Sequence, residues 1–353
     1  MTPSPPAPGA RLTATLGLTE RVLAGPRMRS LLAVVEDGLD RVEHTLAREL
    51  HVSDQLADAT TRYLYEAGGK RVRPMLSLLT AQLGSGTTDH VIAGAAALEM
   101  THLGSLYHDD VMDGADVRRG VPSAHAVWGN SVAILTGDIL FSRASQLMAQ
   151  IGERAIRLQA DTFERLVLGQ MHETVGAPAG DDPVEFYMRV LADKTGSLIA
   201  ASAQAGVIFS DAPPEYRAPA LEYGEKVGIA FQLLDDVIDL SDDPDETGKI
   251  PGTDLRAGVP TMPYLLLGRA DDPVSRALKA TIDDGVARIA DGADPAILDE
   301  AIGQLREHAV TEATRRQAYE WADAAITAID PLPPGVVHDA LVKLAHVIVD
   351  RSS

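Results

Sequence analysis

Apolar residues recur along most of the chain at the spacing of a helix, and nowhere at the spacing of a strand. Between Ser30 and Leu50 the apolar positions are Leu31, Leu32, Val34, Val35, Leu39, Val42 and Leu46, and the other face carries Glu36, Asp37, Asp40, Arg41 and Glu43. This pattern predicts an amphipathic surface helix. Further helical runs are predicted over about 53–67, 72–84, 88–113, 126–151, 155–175, 182–209 and 214–241, then about 262–268, 273–290, 295–304, 307–329 and 334–350. The run 88–113 is apolar on most sides (Val91, Ile92, Ala93, Ala95, Ala96, Ala97, Leu98, Met100), as are 190–209 and 227–240. Such helices belong in the middle of a bundle, wrapped by amphipathic ones. Short breaks at Gly68-Gly69, 83–88, 177–183, 210–214 and 242–260 separate the runs, and no 20–50-residue period recurs. The expectation is one large all-α domain.

Composition narrows the chemistry. Aromatic residues are only 4%, which favours helix over sheet. The 353 residues hold 31 Lys and Arg against 51 Asp and Glu, a net charge of −20. That balance argues against binding a nucleic-acid backbone or an anionic membrane surface. The chain contains no cysteine, so disulfides, thiolate nucleophiles and Cys-ligated metals are excluded. No apolar stretch reaches 18 residues, so no membrane span is expected. Residues 1–27, with Pro3, Pro5, Pro6, Pro8 and Pro26, read as a flexible proline-rich tail before a domain over 28–353. Without a secretory pattern at its start, the protein is expected in the cytoplasm.

Two of the apolar helices end in the same motif, DDxxD: Asp109-Asp110-Val111-Met112-Asp113 and Asp235-Asp236-Val237-Ile238-Asp239. Residues i and i+4 share a helix face, so Asp109 points with Asp113, and Asp235 with Asp239. Three carboxylates on one turn of an apolar helix are costly unless cations neutralise them. Mg²⁺ suits such a site, because it prefers carboxylate oxygen and bridges to phosphates while keeping waters. The acidic run 242–246 differs: Pro244 interrupts it and no apolar face surrounds it, so it reads as a solvated loop.

Cations cluster at Gly68-Gly69-Lys70-Arg71-Val72-Arg73-Pro74 and at Arg118-Arg119. Taken alone, the first cluster suits either an anion site beside permissive glycines or a solvated basic helix start. Arg71 stands where a P-loop requires Ser or Thr, so it is not one. His172-Glu173 opens like a zinc-protease motif, but Gly176 replaces the second histidine.

GGKRVRP, HDDVMD followed by RRG, KTGSLIA, FQLLDDVIDL and TGKIPGTDL, in that order, resemble the trans-isoprenyl diphosphate synthase (polyprenyl synthase) family over nearly the whole chain after about residue 28. The resemblance implies a single all-α helical bundle with a central cavity, usually a homodimer. It also implies a Mg²⁺-dependent prenyltransferase that joins an allylic diphosphate to isopentenyl diphosphate. By that resemblance Asp109 and Asp113, with Asp110 nearby, and Asp235, with Asp236 and Asp239, serve the metal. Arg118, Lys194 and Lys249 contact the allylic diphosphate, while Lys70, Arg73, His102 and Arg119 hold isopentenyl diphosphate. Thr195 and Gln232 lie near the carbocation. In such enzymes the residues about one turn before the first motif border the growing tail. Here they are the small Gly104 and Ser105, which leave steric room and imply a product of C30 or longer. The alternatives are a C15–C20 synthase, a class I terpene cyclase or a non-catalytic synthase subunit.

Overall fold

The computed structural model describes residues 25–242 and 251–350. These residues are mostly helical, and the strands among them are the two short ones of a single hairpin. The chain forms two compact units. The described residues of the first are 25–166, 197–224 and 326–344, and those of the second are 167–196, 225–242, 251–325 and 345–350.

The first unit opens with α1 (Pro26–Glu49), α2 (Gln55–Glu66), α3 (Val72–Ala81) and α4 (Asp89–Asp113). Helix α1 starts at Pro26, two residues inside the expected tail, because proline at the first helical position is already set for the helical φ and loses no needed donor. It buries Leu31, Val35, Val42 and Leu46, part of the predicted apolar face. Helix α4 is buried on most sides from Val91 to Tyr107, as its unbroken apolar run predicts. The Thr88 hydroxyl caps it by accepting from Val91 N–H at 3.1 Å, and Gly114, at φ 62, ends it.

Beyond α4 the hairpin β1 (Val117–Arg118) and β2 (Val121–Pro122) was not expected from the sequence. Its turn places Arg119 at φ 54 and Gly120 at φ 76, the paired positive values of a tight hairpin. The predicted helix 126–151 is two: α5 (Ala124–Trp128) and α6 (Asn130–Ile151), parted at Gly129, whose φ of 83 breaks the helix. Next comes α7 (Glu153–Val175). The run 182–209 also divides, into α8 (Pro183–Leu191), one π turn (Ala192–Gly196) and α9 (Ser197–Phe209). Helix α9 is buried along nearly its whole length.

Glycines let these helices cross closely. A Cβ on Gly206 of α9 would sit 2.1 Å from the Ser77 carbonyl of α3, and Thr80 donates to Ala203 O at 2.8 Å across the same crossing. On α4 and α6, a Cβ on Gly137 would lie 2.4 Å from His108 Nε2 and 3.0 Å from the Gly104 carbonyl.

Helix α10 (Arg217–Asp239) carries the second aspartate motif in its last turn. In the second unit α11 (Thr253–Arg256), α12 (Met262–Arg269), α13 (Pro273–Ala290), α14 (Asp299–Arg306) and most of α15 (Ala309–Ala328) follow; α16 (Val336–Val349), which belongs to the first unit as far as residue 344, closes the described chain. Leu255, Leu267, Leu278, Ile282, Leu298, Ile302 and Leu305 form a separate core there. No described helix is long and apolar enough to cross a membrane.

Candidate active site

Both DDxxD motifs occupy the last turn of a helix. Exposed carbonyls make that end negative, so carboxylates there are disfavoured by the helix itself as well as by one another. A position that unfavourable points to a bound cation.

In the first unit Asp109 is half-buried and Asp113 exposed, while Asp110 is fully buried. Arg118 Nε donates to Asp110 Oδ1 at 2.7 Å. The other oxygen, Oδ2, is buried with no hydrogen-bond partner. Burial pushes the Asp110 carboxyl above its ordinary range, and Arg118 opposes that shift. The middle aspartate therefore anchors Arg118 beside the motif and leaves Asp109 and Asp113 as the pair on the outward face.

The basic cluster is built rather than solvated. Arg71, in a left-handed conformation at φ 52, donates through Nε to Glu43 at 2.5 Å and through Nη1 to Glu99 at 3.3 Å. Glu99 is only 2% exposed. Arg119 donates to the carbonyls of Leu64 and Gly68. A Cβ at Gly69 would lie 2.6 Å from Arg71 Nη1 and 3.1 Å from Arg119 Nη2, so only glycine lets both guanidiniums approach. Arg73 Nε is buried with no partner. His102 is held well below its ordinary range by desolvation first, then by Arg73, Arg119, Arg118 and Arg71. The first unit thus gathers Arg73, His102, Arg118 and Arg119 around one point, with Lys70 exposed nearby in sequence. Glu99 is the carboxylate that opposes this positive charge, acting on Arg71, Arg73 and Arg119 alike.

In the second unit the π turn places Lys194 and Thr195 side by side, and such turns mark functional sites in helices. It is allowed by Gly169, where a Cβ would lie 2.5 Å from Lys194 N. Lys194 Nζ donates to Glu173, the residue that reads in the sequence only as a broken zinc motif. Thr195 donates to Gln232 Oε1 at 3.3 Å. Asp236 is 1% exposed; the Tyr187 hydroxyl donates one proton shared between its two oxygens, at 2.9 and 3.1 Å, and Met262 N–H donates at 3.0 Å. Burial pushes its carboxyl up to about 8. Asp239 accepts from Asp254 N–H at 3.3 Å through its side chain and from Gly252 N–H at 2.6 Å through its carbonyl. Lys249 lies outside the described residues.

Among the described residues no three carboxylates or histidines converge on one point. Each motif offers a pair of partly open, oxygen-only donors from one side. That fits a hard divalent cation that completes its shell with water and phosphate oxygens.

Gly104 is not open space. A Cβ there would meet the Gly137 carbonyl and the Phe141 ring, each at 3.2 Å. The steric room expected from its small size is taken by α6, and Phe141 in turn packs at a tilt against Phe163, centroids 4.6 Å apart. Ser105, half-buried, donates to the His102 carbonyl at 2.9 Å. Sequence reasoning missed Glu43, Glu99, Glu173, Tyr187 and Phe141.

A polyprenyl synthetase family model matches residues 54–292, more than half of the chain. The chain belongs to the polyprenyl synthetase family. Nonaprenyl diphosphate synthase of Mycobacterium tuberculosis is 45% identical over 275 residues, 78% of this chain and 80% of the relative. A polyprenyl synthase of Caulobacter crescentus, solved with calcium and isoprenyl diphosphate, superposes with a TM-score of 0.82 at 28% identity, covering 92% of this chain and 98% of that one. A geranylgeranyl pyrophosphate synthase of Corynebacterium glutamicum, solved with the same additions, gives a TM-score of 0.78 at 39% identity, covering 93% and 98%. The fold of this polyprenyl synthetase is accordingly the all-α isoprenoid synthase fold, and the chain is an enzyme of the polyprenyl diphosphate synthase type.

Proposed function

We propose that this chain is a prenyltransferase that condenses an allylic diphosphate with isopentenyl diphosphate, head to tail, and repeats the step to an all-trans product of C30 or longer. The carrying observation is the gathering of Arg73, His102, Arg118 and Arg119 beside an aspartate motif in a chain of net charge −20. The 45% identity to a nonaprenyl diphosphate synthase supports the long product.

Asp109 and Asp113, and separately Asp235 and Asp239, would hold Mg²⁺. The ion would supply a Lewis acid for the diphosphate as its C–O bond breaks. Arg118, fixed by Asp110, contributes a guanidinium to the allylic diphosphate, together with Lys194 and Lys249. Lys70, Arg73, His102 and Arg119 hold the diphosphate of isopentenyl diphosphate. Neutral His102 donates a hydrogen bond without adding a further positive charge to a crowded site. Thr195 and Gln232 present oxygen dipoles to the allylic cation, and Asp236, locked by Tyr187, fixes the turn that bears Asp235 and Asp239. Preorganised charges of this kind stabilise a leaving anion without reorganising during the step.

The enzyme acts in the cytoplasm as a homodimer, its functional domain starting near residue 28. The competing reading is a C15–C20 product, favoured by Phe141 beside Gly104 and by the geranylgeranyl relative. Asp109→Ala and Asp235→Ala, assayed for incorporation of isopentenyl diphosphate, are expected to lose turnover by orders of magnitude. Wild-type rates in both would overturn the assignment.

A further inference from the structure

The hairpin β1–β2 carries at adjacent positions the two arginines proposed for the two substrates, Arg118 for the allylic diphosphate and Arg119 for isopentenyl diphosphate. Its strands are two residues long, with Val117 paired to Pro122 and Arg118 to Val121. None of residues 117–122 is buried, and Val117 is 59% exposed. An isolated two-stranded hairpin is marginal in water even when longer than this. At its turn Arg119 holds φ 54, a conformation that costs energy unless the surroundings impose it. The hairpin therefore depends on anchors outside itself.

Two of these anchors are the arginines themselves. Arg118 reaches Asp110, and Arg119 reaches the carbonyls of Leu64 and Gly68. Both guanidiniums also serve a diphosphate, so these anchors are shared with substrate. Another is independent of them. The Tyr63 hydroxyl donates to the Pro122 carbonyl at 2.8 Å. The Tyr63 ring makes a T-shaped contact with Trp128 of α5, centroids 4.9 Å apart and planes at 88°, a geometry that aromatic pairs favour. Helix α5 continues directly from β2, so both contacts fix Tyr63 to the same segment. Tyr63 stands on a firm base. The buried Tyr107 hydroxyl of α4 donates to Thr60 O and accepts from Leu64 N–H at 3.2 Å, which pins the end of α2 to α4.

We infer that Tyr63 is the positioning residue of the hairpin: its hydroxyl seats Arg118 and Arg119 together for the two diphosphates and touches neither substrate. This rests on the proposed division of the two arginines between the substrates. One anchor shared by two sites has a distinct signature. When it is lost, the seated hairpin becomes only a fraction of the population, and the apparent affinity for the first substrate to bind falls by that fraction. That substrate re-seats the hairpin, so the second binds as it does to the wild type. One ordinary net hydrogen bond corresponds to about fivefold in such an equilibrium.

The test is steady-state kinetics of Tyr63→Phe against the wild type, with isopentenyl diphosphate varied at several concentrations of a C15 allylic diphosphate and folding checked by circular dichroism. Phenylalanine keeps the ring and its contact with Trp128. At low allylic diphosphate the KM for isopentenyl diphosphate is expected to stand about fivefold above wild type. At saturating allylic diphosphate the ratio returns to about one, so the effect falls on KM rather than on kcat. Trp128→Leu keeps the hydroxyl but frees the ring; it is expected to give the same pattern at smaller size and keeps the test available where Tyr63→Phe fails to fold. A ratio of about one throughout, a raised KM that persists at saturating allylic diphosphate, or a loss confined to kcat overturns the inference and leaves the prenyltransferase reading standing. No incorporation of isopentenyl diphosphate by the wild type overturns that reading as well.

Discussion

Glu99→Gln removes the one buried carboxylate that Arg71, Arg73 and Arg119 share. Its oxygen lies 3.3 Å from Arg71 Nη1, with the two side chains 2% and 10% exposed. At an effective dielectric of 20 that contact is a Coulombic attraction of about 5 kcal/mol. Glutamine recovers part of this, because it no longer carries the desolvation penalty of a buried charge. Arg71 also keeps Glu43 at 2.5 Å. Deleting one partner of a buried pair costs about 3–5 kcal/mol, and the retained Glu43 places this case near about 3 kcal/mol. Against a total stability of about 5–15 kcal/mol, the loss lowers Tm by several degrees. The lost carboxylate also leaves the cations in excess, so a diphosphate should stabilise the variant more than the wild type. Differential scanning calorimetry with and without inorganic diphosphate measures both effects. The reasoning is refuted if Glu99→Gln melts with the wild type and gains no more from diphosphate than the wild type does.

Tyr187→Phe removes the one hydroxyl proton shared between the two oxygens of buried Asp236. Leaving that carboxyl partly unsatisfied should destabilise by about 1–3 kcal/mol and raise the Mg²⁺ concentration needed for half-maximal turnover; an unchanged Mg²⁺ titration would count against the positioning role. Glu173→Gln removes the Glu173–Lys194 ion pair and is expected to alter KM for the allylic substrate more than for isopentenyl diphosphate, as steady-state kinetics would reveal. The depressed His102 predicts the pH response of the ligand-free protein. Its neutral form is favoured on folding, so that contribution to stability is complete above about pH 6.5 and is lost as the pH falls below it. His102→Gln should flatten this part of the pH–stability curve, and a curve identical to wild type would refute the linkage.

The long apolar helices were legible because their pattern is local. The aspartate pairs were legible because i,i+4 spacing fixes a shared face on any helix. The breaks at Gly129 and at residues 192–196 were not. Gly129 departs from the helix through its own φ, and the π turn depends on Gly169 of another helix. Glu99 carried a signal that went unread: a lone carboxylate inside the run Ala97-Leu98-Glu99-Met100 has to find a cation. Tyr187 and Phe141 gave none, since their roles arise from contacts with Asp236 and Gly104 that no local periodicity encodes. Gly104 misled for the same reason, because a small residue marks a helix crossing as readily as an open channel.

On the proposed function, this chain alone builds a long all-trans polyprenyl diphosphate. The direct measurement is to incubate the purified protein with Mg²⁺, isopentenyl diphosphate and C5, C10, C15 or C20 allylic primers, and to resolve the dephosphorylated products by chromatography. Repeated condensation to C30 or longer, strictly dependent on isopentenyl diphosphate, is expected. No incorporation, or products that stop at C15 or C20, would contradict it.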